Sequence, residues 1–340
     1  MTSFIMSNLT TKIQDSFGRV HDYLRISLTE RCNLRCFYCM PEEGIALREK
    51  SEFMTAEETI EIAKTFVKLG VKKIRLTGGE PLIKKNISQI ILELSKLPVE
   101  LAITTNGVLV DRYIDVFKAS NLKSINLSLD SLNEDNFNKI SRRNYFKQIM
   151  NNIHLLLREN FQVKINVVVM RGINDHEIAD FINWTKELNV QVRFIEFMPF
   201  DGNQWNWNKK VSYNEILDTV TKYYDYENVE RLEGKPNDTT KNFRINNFTG
   251  SFGIISSVTN PFCDTCNRIR LTADGKIKNC LFSQDESDLL TALRNGQDIE
   301  KIIQANLLNK QASRGGIKSF KDPAQVKLYT ANRSMTTIGG

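Results

Sequence analysis

Hydrophobic and polar positions along the chain follow two alternating patterns, which predict strands and helices in turn. Short runs rich in β-branched residues recur, and each begins after a basic or turn residue. The stretches between them place apolar residues three and four positions apart, as on one face of a helix. Six strands alternating with helices predict parallel βα units, arranged as an open sheet or as a full or partial barrel. The six runs occupy residues 23–29, 72–77, 99–105, 123–129, 163–169 and 190–197.

The clearest predicted helix lies in the segment TAEETIEIAKTFVKLG. Thr55 is the expected N-cap, Glu58 completes a capping box, and Gly70 is expected to end the helix. In parallel βα folds, ligands bind at the carboxyl ends of the strands. The first of these connections, after residue 29, is the longest and contains three cysteines, so it is the first candidate for a site.

The pattern changes after about residue 200. The segments SFGIISSV and RIRLTADGKIKNCLF predict a hairpin that turns at Asp274-Gly275, and further helices are predicted near 285–310. We therefore expect three parts: a flexible tail over residues 1–14, a βα unit over 15–200 and a smaller α+β domain over 201–340.

Composition and charge narrow the class of protein. The 340 residues are 41% hydrophobic and 25% charged, as in ordinary globular proteins. Apolar runs are too short for a membrane span, and the N-terminus lacks a secretory pattern. We expect a soluble cytoplasmic protein without a membrane partner, and the Ser/Thr-rich start leaves an organellar matrix open. The net charge of +6 suits an anionic ligand as readily as nucleic acid, but no aromatic–basic interleaving marks a nucleic-acid surface.

The chain has six cysteines in 340 residues, too few for a disulfide scaffold, and they form two groups of three. A structural zinc site closes with four ligands, whereas three protein ligands leave one coordination position open. Thiolates suit both zinc and iron–sulfur clusters, and zinc is a serious alternative for the second group, which pairs two close cysteines with a later one on a hairpin. The first cysteine site is Cys32, Cys36 and Cys39, and the second cysteine site is Cys263, Cys266 and Cys280.

Several motifs resemble one known family. Cys32-x-x-x-Cys36-x-Tyr38-Cys39 is similar to the signature of radical S-adenosylmethionine (SAM) enzymes, and GGEP at 78–81 is similar to their second landmark. The resemblance to the MoaA-type GTP 3′,8-cyclase family is more specific and runs from about Asp15 to Gly340. It is carried by DSFGRVHDYLRISLTERCNLRCFYCMPEEG, KIRLTGGEPL, TTNG, SLDSL, VVMRGIND, RFIEFMPF, FCDTCNRIRLTADGKIKNCLF and the terminal IGG.

This resemblance implies an α/β fold, a partial TIM-like βα barrel with a C-terminal α+β domain that carries a second iron–sulfur cluster. It implies two [4Fe–4S] clusters, each held by three cysteines, with SAM bound at the open iron of the first. Reductive SAM cleavage would give a 5′-deoxyadenosyl radical that abstracts the ribose 3′ hydrogen of GTP. The product would be (8S)-3′,8-cyclo-7,8-dihydroguanosine 5′-triphosphate, in the first step of molybdenum cofactor biosynthesis. The implied partners are an unidentified electron donor, the next enzyme of the pathway and a second copy of the chain in a homodimer.

The resemblance also implies the residues that contact cofactor and substrate. Arg268 and Arg270, with the terminal Gly339 and Gly340, would organise GTP for catalysis. Alternation along NRIRL places both arginines on one face of a strand, whereas Lys73 by itself is more typical of a solvated edge charge. The implied SAM contacts are Tyr38, Gly79, Ser128 and Met198. The implied GTP contacts are Arg25, Lys73, Arg75, Thr105, Lys164, Arg268, Ile269 and Arg270.

Two other hypotheses stay open from the sequence. One keeps the radical SAM chemistry but moves the substrate to a macromolecule, such as an RNA base or a peptide, with the second cluster as a docking element. The other is a zinc-ribbon scaffold without enzymatic activity, which predicts a colourless protein with bound zinc. Either radical SAM hypothesis predicts a brown, oxygen-sensitive protein.

Overall fold

The computed structural model of the chain describes residues 12–40, 44–45, 48–203, 205–322, 325 and 332–339. The strands are β1 (Tyr23–Ser27), β2 (Lys73–Thr77), β3 (Glu100–Thr105), β4 (Ser124–Ser128), β5 (Gln162–Val169), β6 (Gln191–Glu196), β7 (Val229–Arg231), β8 (Lys241–Ile245), β9 (Ser251–Ile255), β10 (Arg268–Leu271), β11 (Lys276–Lys278) and β12 (Ser287–Asp288). The α-helices are α1 (Ala56–Lys68), α2 (Ile87–Leu94), α3 (Ile114–Ala119), α4 (Glu134–Ser141), α5 (Phe146–Arg158), α6 (Ile178–Trp184), α7 (Tyr213–Tyr223), α8 (Leu289–Arg294), α9 (Ile299–Leu308) and α10 (Met335–Ile338).

The first six strands form where the hydrophobic pattern predicts them. β1 to β6 pair in sequence order and each is parallel to the next. Helix α1 also begins and ends as predicted: Thr55 and Glu58 form the capping box, and Gly70 has a positive φ of 96° just beyond the helix. The polar helix α4, which the sequence analysis did not predict, ends beside the cysteine loop.

Strands from the C-terminal half extend both edges of this six-stranded sheet. β10 pairs parallel with β1, and β9 pairs parallel with β6. The hairpin at Asp274-Gly275 is confirmed between β10 and β11. The expectation that SFGIISSV joins that hairpin is wrong, because β9 lies at the other edge and pairs with β8. In the described ranges the sheet runs β12-β11-β10-β1-β2-β3-β4-β5-β6-β9-β8-β7.

This open sheet confirms an α/β fold with an incomplete βα barrel and α+β additions. The proposed division at residues 200 and 201 stays a prediction. Near the N-terminus, Ile13 is buried in the core and Gln14 bridges Val20, while residues 1–11 lie outside the described residues.

The two faces of the sheet have opposite character because successive side chains alternate. On the outer face, apolar residues such as Leu24, Ile74 and Ile125 are fully buried in one core with the helices. Residues from β1, β2, β4, β5, β6, β9 and β10 line one cavity on the inner face, so the sheet curves around it. No helix in the described part of the chain is both long enough and apolar enough to cross a membrane. Polar residues on the inner face include Arg25, Arg75, Asn126, Asn166 and Arg193.

Candidate active site

Two neighbouring cavities on the inner face are each lined by one group of three cysteines. The first cavity, of about 160 Å³, is lined by the first cysteine site together with Gly79 and Ser128. The second cavity, of about 200 Å³, is lined by the second cysteine site and by several arginines. Asn166, Ile195 and Met335 line both cavities. Molecules bound in the two cavities would therefore share one wall.

Hydrogen bonds fix the loop that carries the first cysteine site. Arg35 N donates to Ser141 O at the end of α4 (2.9 Å). Leu34 N and Asn106 Nδ2 donate to Cys32 Sγ at 3.4 and 3.7 Å. Burial raises the pKa of all three half-buried thiols, and that of Cys32 to about 11. Without a metal these thiols are protonated at neutral pH, and metal binding would convert them to thiolates.

Gly79 brings the loop after β2 against the cysteine loop. Gly79 N donates to Thr29 O (2.6 Å), and a Cβ at this position would lie only 2.3 Å from Arg31 O. A side chain cannot fit there, because the obstructing atom belongs to the backbone. The close approach at Gly79 is thus a contact between two loops that border the first cavity.

The Glu80 carboxylate joins the loop after β2 to the loop after β3. It is 1% exposed and accepts hydrogen bonds from Leu82 N (3.0 Å), Thr105 Oγ1 (2.8 Å) and Asn106 N (2.7 Å). Burial raises the pKa of Glu80 to about 7. Because it donates to Glu80, the hydroxyl of Thr105 already has a hydrogen-bond partner within the protein.

Tyr38 and Asp130 form a second polar link at the first cavity, which both residues line. Tyr38 Oη donates to Asp130 Oδ2 (2.5 Å), and Val168 N donates to Asp130 Oδ1 (2.9 Å). Burial raises the pKa of Asp130 to about 6. These bonds tie the cysteine loop to the ends of β4 and β5.

Donors also point at the sulfurs of the second cysteine site. Arg314 N donates to Cys263 Sγ (3.4 Å), and Lys310 Nζ donates to Cys266 Sγ (3.6 Å). Burial opposes ionisation of Cys266, but the Lys310 ammonium lowers the pKa of Cys266 below its usual value. Burial raises the pKa of Cys280. The donor pattern thus extends to Cys263 and Cys266 of the second cysteine site.

Both sites have the donor chemistry of iron–sulfur clusters. Each cavity is lined by three free cysteines, and N–H groups are directed at the sulfurs, as is usual for cluster ligands. Among the described residues, no three His, Cys, Asp or Glu side chains are placed to hold a single metal ion.

Six arginines line the second cavity. Burial and the neighbouring guanidinium groups lower the pKa of Arg25 and Arg193 to about 9 and that of Arg270 to about 10. Such crowding of buried positive charge is unfavourable without an anion and therefore favours a polyanionic ligand. The six residues are Arg25, Arg75, Arg193, Arg268, Arg270 and Arg314.

Unsatisfied polar atoms also mark the inner face. In the described ranges, several buried atoms here have no hydrogen-bond partner, which is unusual in a native protein. They point to groups that a ligand would satisfy. The atoms are Ser27 Oγ, Thr104 Oγ1, Asn126 Oδ1 and Arg268 Nη1.

The C-terminal segment forms part of the wall between the cavities. Gly339 O accepts from Arg270 Nη1 (3.0 Å), and a Cβ on Gly339 would lie 2.6 Å from Thr77 Oγ1. Arg333 anchors this segment through two hydrogen bonds of 2.9 Å to Asp274. Gly339 is thus packed on the inner face, whereas Gly340 lies outside the described residues.

Two family models match successive parts of the chain. Residues 26–185 match the family model "Radical SAM superfamily", and residues 190–315 match "Molybdenum Cofactor Synthesis C". A protein of Arabidopsis thaliana named "GTP 3',8-cyclase, mitochondrial" is 46% identical over 96% of this chain and 83% of its own length. The chain belongs to the GTP 3′,8-cyclase family.

A second member of the GTP 3′,8-cyclase family, from Listeria monocytogenes, is 38% identical over 96% of this chain and 99% of its own. The chain spans about half the length of other relatives, such as human "Molybdenum cofactor biosynthesis protein 1" (45% identity, 51% of its length). Among solved structures, Streptococcus suis SuiB bound to S-adenosylmethionine has a TM-score of 0.61 at 13% identity, covering 86% of this chain and 69% of its own. That likeness concerns the fold alone.

The structure places several residues implied by the family resemblance away from the positions expected for them. Lys73 pairs with Glu100 (2.6 Å), and Lys73 and Lys164 line neither cavity. Burial, reinforced by Arg193, lowers the pKa of Lys164 to about 8. The Ile269 side chain lies in the outer core. Met198, expected at SAM, lines the second cavity rather than the first.

Other residues of this family member were missed by the sequence analysis. Strand register places Thr104 opposite the inner-face residue Asn126, whereas the hydroxyl of Thr105 donates to Glu80. Arg193 lies opposite the inner-face residue Asn166 and donates to its Oδ1 (3.0 and 2.5 Å). The alternation of side chains along the predicted strands could have indicated the orientation of both Thr104 and Arg193.

Proposed function

We propose that this chain is a GTP 3′,8-cyclase. It uses radical SAM chemistry to convert GTP to (8S)-3′,8-cyclo-7,8-dihydroguanosine 5′-triphosphate, the first step of molybdenum cofactor biosynthesis. The observation that carries the proposal is the pair of three-cysteine cavities with a common wall, one of them rich in arginine. The printed names of the relatives from Arabidopsis and Listeria support the same activity.

In the first cavity, Cys32, Cys36 and Cys39 would hold a [4Fe–4S] cluster with one iron open to SAM. When bound and reduced, this pair supplies a 5′-deoxyadenosyl radical. Gly79 and Ser128 border the space for SAM, and the Tyr38–Asp130 hydrogen bond keeps the cysteine loop closed over it. These residues orient SAM toward the wall that both cavities share.

In the second cavity, the cysteines would hold the cluster that receives the guanine edge of GTP, and the arginines would hold its triphosphate. Guanidinium forks match phosphate oxygens in geometry and charge. Arg270 would act both on GTP and on the C-terminal segment, because its Nη1 already donates to Gly339 O. Lys73 and Lys164 would contribute positive potential from outside the cavity, and Thr104 would offer its unpaired hydroxyl.

Aromatic packing would keep water from the radical. Phe282 lines the second cavity and stacks on Phe200 with ring centroids 6.2 Å apart, and Phe320 packs edge-on against Phe282 at 5.1 Å. Met198 belongs to the same buried cluster. A dry, preorganised site limits quenching of reactive intermediates.

The test is anaerobic turnover with GTP, SAM and dithionite, followed by mass spectrometry of the nucleotide products. Wild-type protein should form the cyclic nucleotide and 5′-deoxyadenosine together. Arg268→Ala/Arg270→Ala should weaken GTP binding about 100-fold, because two charge-assisted hydrogen bonds are lost. The control Arg231→Ala/Arg244→Ala removes two exposed strand arginines and should bind GTP normally. Unchanged GTP binding in the first variant would refute the assigned phosphate site.

The expected partners follow from this chemistry. SAM cleavage consumes an electron, so an external electron donor must reduce the first cluster, and the product must pass to the next enzyme of the pathway. A second copy of the chain is the proposed partner in a homodimer. We place the protein in the cytoplasm or in an organellar matrix, such as that of the mitochondrial relative.

A further inference from the structure

Lys310 is a buried lysine beside the second cysteine site. Its side chain is 3% exposed, and Nζ lies 3.6 Å from Cys266 Sγ and 3.2 Å from Arg268 O. Lysines normally extend their ammonium to water, and a buried ammonium is costly unless a partner compensates it. Within the described residues, no salt bridge joins Lys310 to a carboxylate. The sulfur of Cys266 is therefore a principal partner of this charge.

The surrounding chain holds Lys310 in this place. Lys310 N donates to Leu307 O (3.0 Å) just after α9. Arg19 Nη1 donates to Cys263 O and to Ala312 O, both at 2.8 Å, and so clamps the segment that follows Lys310 onto the cysteine turn. The ammonium has little freedom to leave the sulfur.

The first cysteine site has the opposite electrostatic surroundings. The buried Asp130 carboxylate lines the first cavity, and the buried Glu80 carboxylate accepts from the backbone of Asn106, whose side chain donates to Cys32 Sγ. Buried carboxylates therefore face the first site, whereas a buried ammonium faces the second. Such differences in charge and hydrogen bonding to sulfur change the reduction potentials of iron–sulfur clusters.

We propose that Lys310 is a positioning residue whose ammonium, held against Cys266 Sγ, stabilises the reduced form of the cluster at the second cysteine site. Reduction adds negative charge to the cluster and its thiolates, and a nearby N–H donor with positive charge favours that state. The inference rests on the proposed function for the presence of the second cluster. It makes Lys310 a determinant of the reduction potential of that cluster.

The experiment uses the full chain with Cys32→Ala, Cys36→Ala and Cys39→Ala, so that only the second cluster is measured. The protein is reconstituted anaerobically, iron is counted, and the midpoint potential is found by redox titration with electron paramagnetic resonance. In this background Lys310→Met should lower the equilibrium constant for reduction about tenfold, a shift of about 59 mV to more negative potential for a one-electron couple. Lys310→Arg, which keeps a charged donor, should restore most of the shift.

Lys301→Met is the matched control, because Lys301 lies on α9 but is exposed and pairs with Asp298. It should leave the midpoint unchanged. An unchanged midpoint in a fully loaded Lys310→Met protein would overturn the proposal. If Lys310→Met does not load, Lys310→Gln is titrated under the same criterion. Failure of both to load, with Lys310→Arg loading normally, would overturn the redox role in favour of one in assembly. Absence of iron from the parent protein with the three cysteine substitutions would instead refute the second cluster, and the proposed function with it.

Discussion

Substituting Gly79 by alanine tests the contact between the loop after β2 and the cysteine loop. The new Cβ would lie 2.3 Å from Arg31 O and 2.7 Å from Glu30 O, whereas ordinary contacts begin at 3.4 Å. The loops must therefore separate by about 1 Å. Both obstructing atoms are backbone carbonyls of the residues just before Cys32, so no side chain can rotate away.

Two magnitudes follow for Gly79→Ala. Overpacking of this kind destabilises a protein by about 1–3 kcal/mol. A displacement of about 1 Å at a reacting centre costs on the order of 100-fold in rate. Because Gly79 lines the first cavity, we expect the larger effect on SAM cleavage and the smaller one on global stability.

The assay is formation of 5′-deoxyadenosine under anaerobic conditions with dithionite, alongside urea unfolding. Gly234→Ala is the control, because Gly234 is exposed and its added Cβ would meet only Asp238, at 3.4 Å. SAM cleavage in Gly79→Ala within twofold of the wild-type rate, with an unchanged urea midpoint, would refute the steric argument.

Four further substitutions are predicted. Asp274→Asn should cost about 2 kcal/mol in urea unfolding, because Arg333 loses its two hydrogen bonds to that carboxylate and keeps its ion pair with Glu286. Arg333 lowers the pKa of Asp274 to about 2 despite burial, so this stabilisation is present above pH 4 and is lost as pH falls toward 2. Cys36→Ser should abolish SAM cleavage, whereas Cys280→Ser should impair GTP conversion more than cleavage, as chromatography of both products would show. Burial, with Lys310 nearby, lowers the pKa of His21 from 6.5 to about 4, so the unfolded chain binds the proton first and stability should fall by about 3 kcal/mol between pH 6.5 and 4. His21→Gln should remove that pH dependence of the urea midpoint.

The strands and their faces could be predicted because local pattern determines them. Alternation in NRIRL correctly places Arg268 and Arg270 on one face, and both line the second cavity. The capping box of α1 is likewise local, since Thr55 and Glu58 are three residues apart. Features set within a few residues were therefore accessible from the sequence.

Long-range pairing could not be predicted in this way. Nothing local in SFGIISSV shows that it joins the β6 edge rather than the hairpin at Asp274-Gly275. Lys310 and Arg333 are ordinary lysine and arginine residues in the sequence, and their importance arises only when the fold buries them beside Cys266 and Asp274. The hydrogen bond from Thr105 to Glu80 is another contact that forms only when the loops are assembled.

The two-sided extension of the sheet has a consequence for how the protein is made. During synthesis, β1 to β6 emerge first, with the backbone groups of β1 and β6 unpaired at both edges. β1 receives its partner β10 only after more than 240 further residues have been translated, and pairing over such sequence separation is slow. Gly339, which packs against Ser27 and Thr77, is translated later still. We therefore expect the nascent first half to depend on chaperones until β9 and β10 have been made, and the second cluster to be inserted only after Cys280 has been translated.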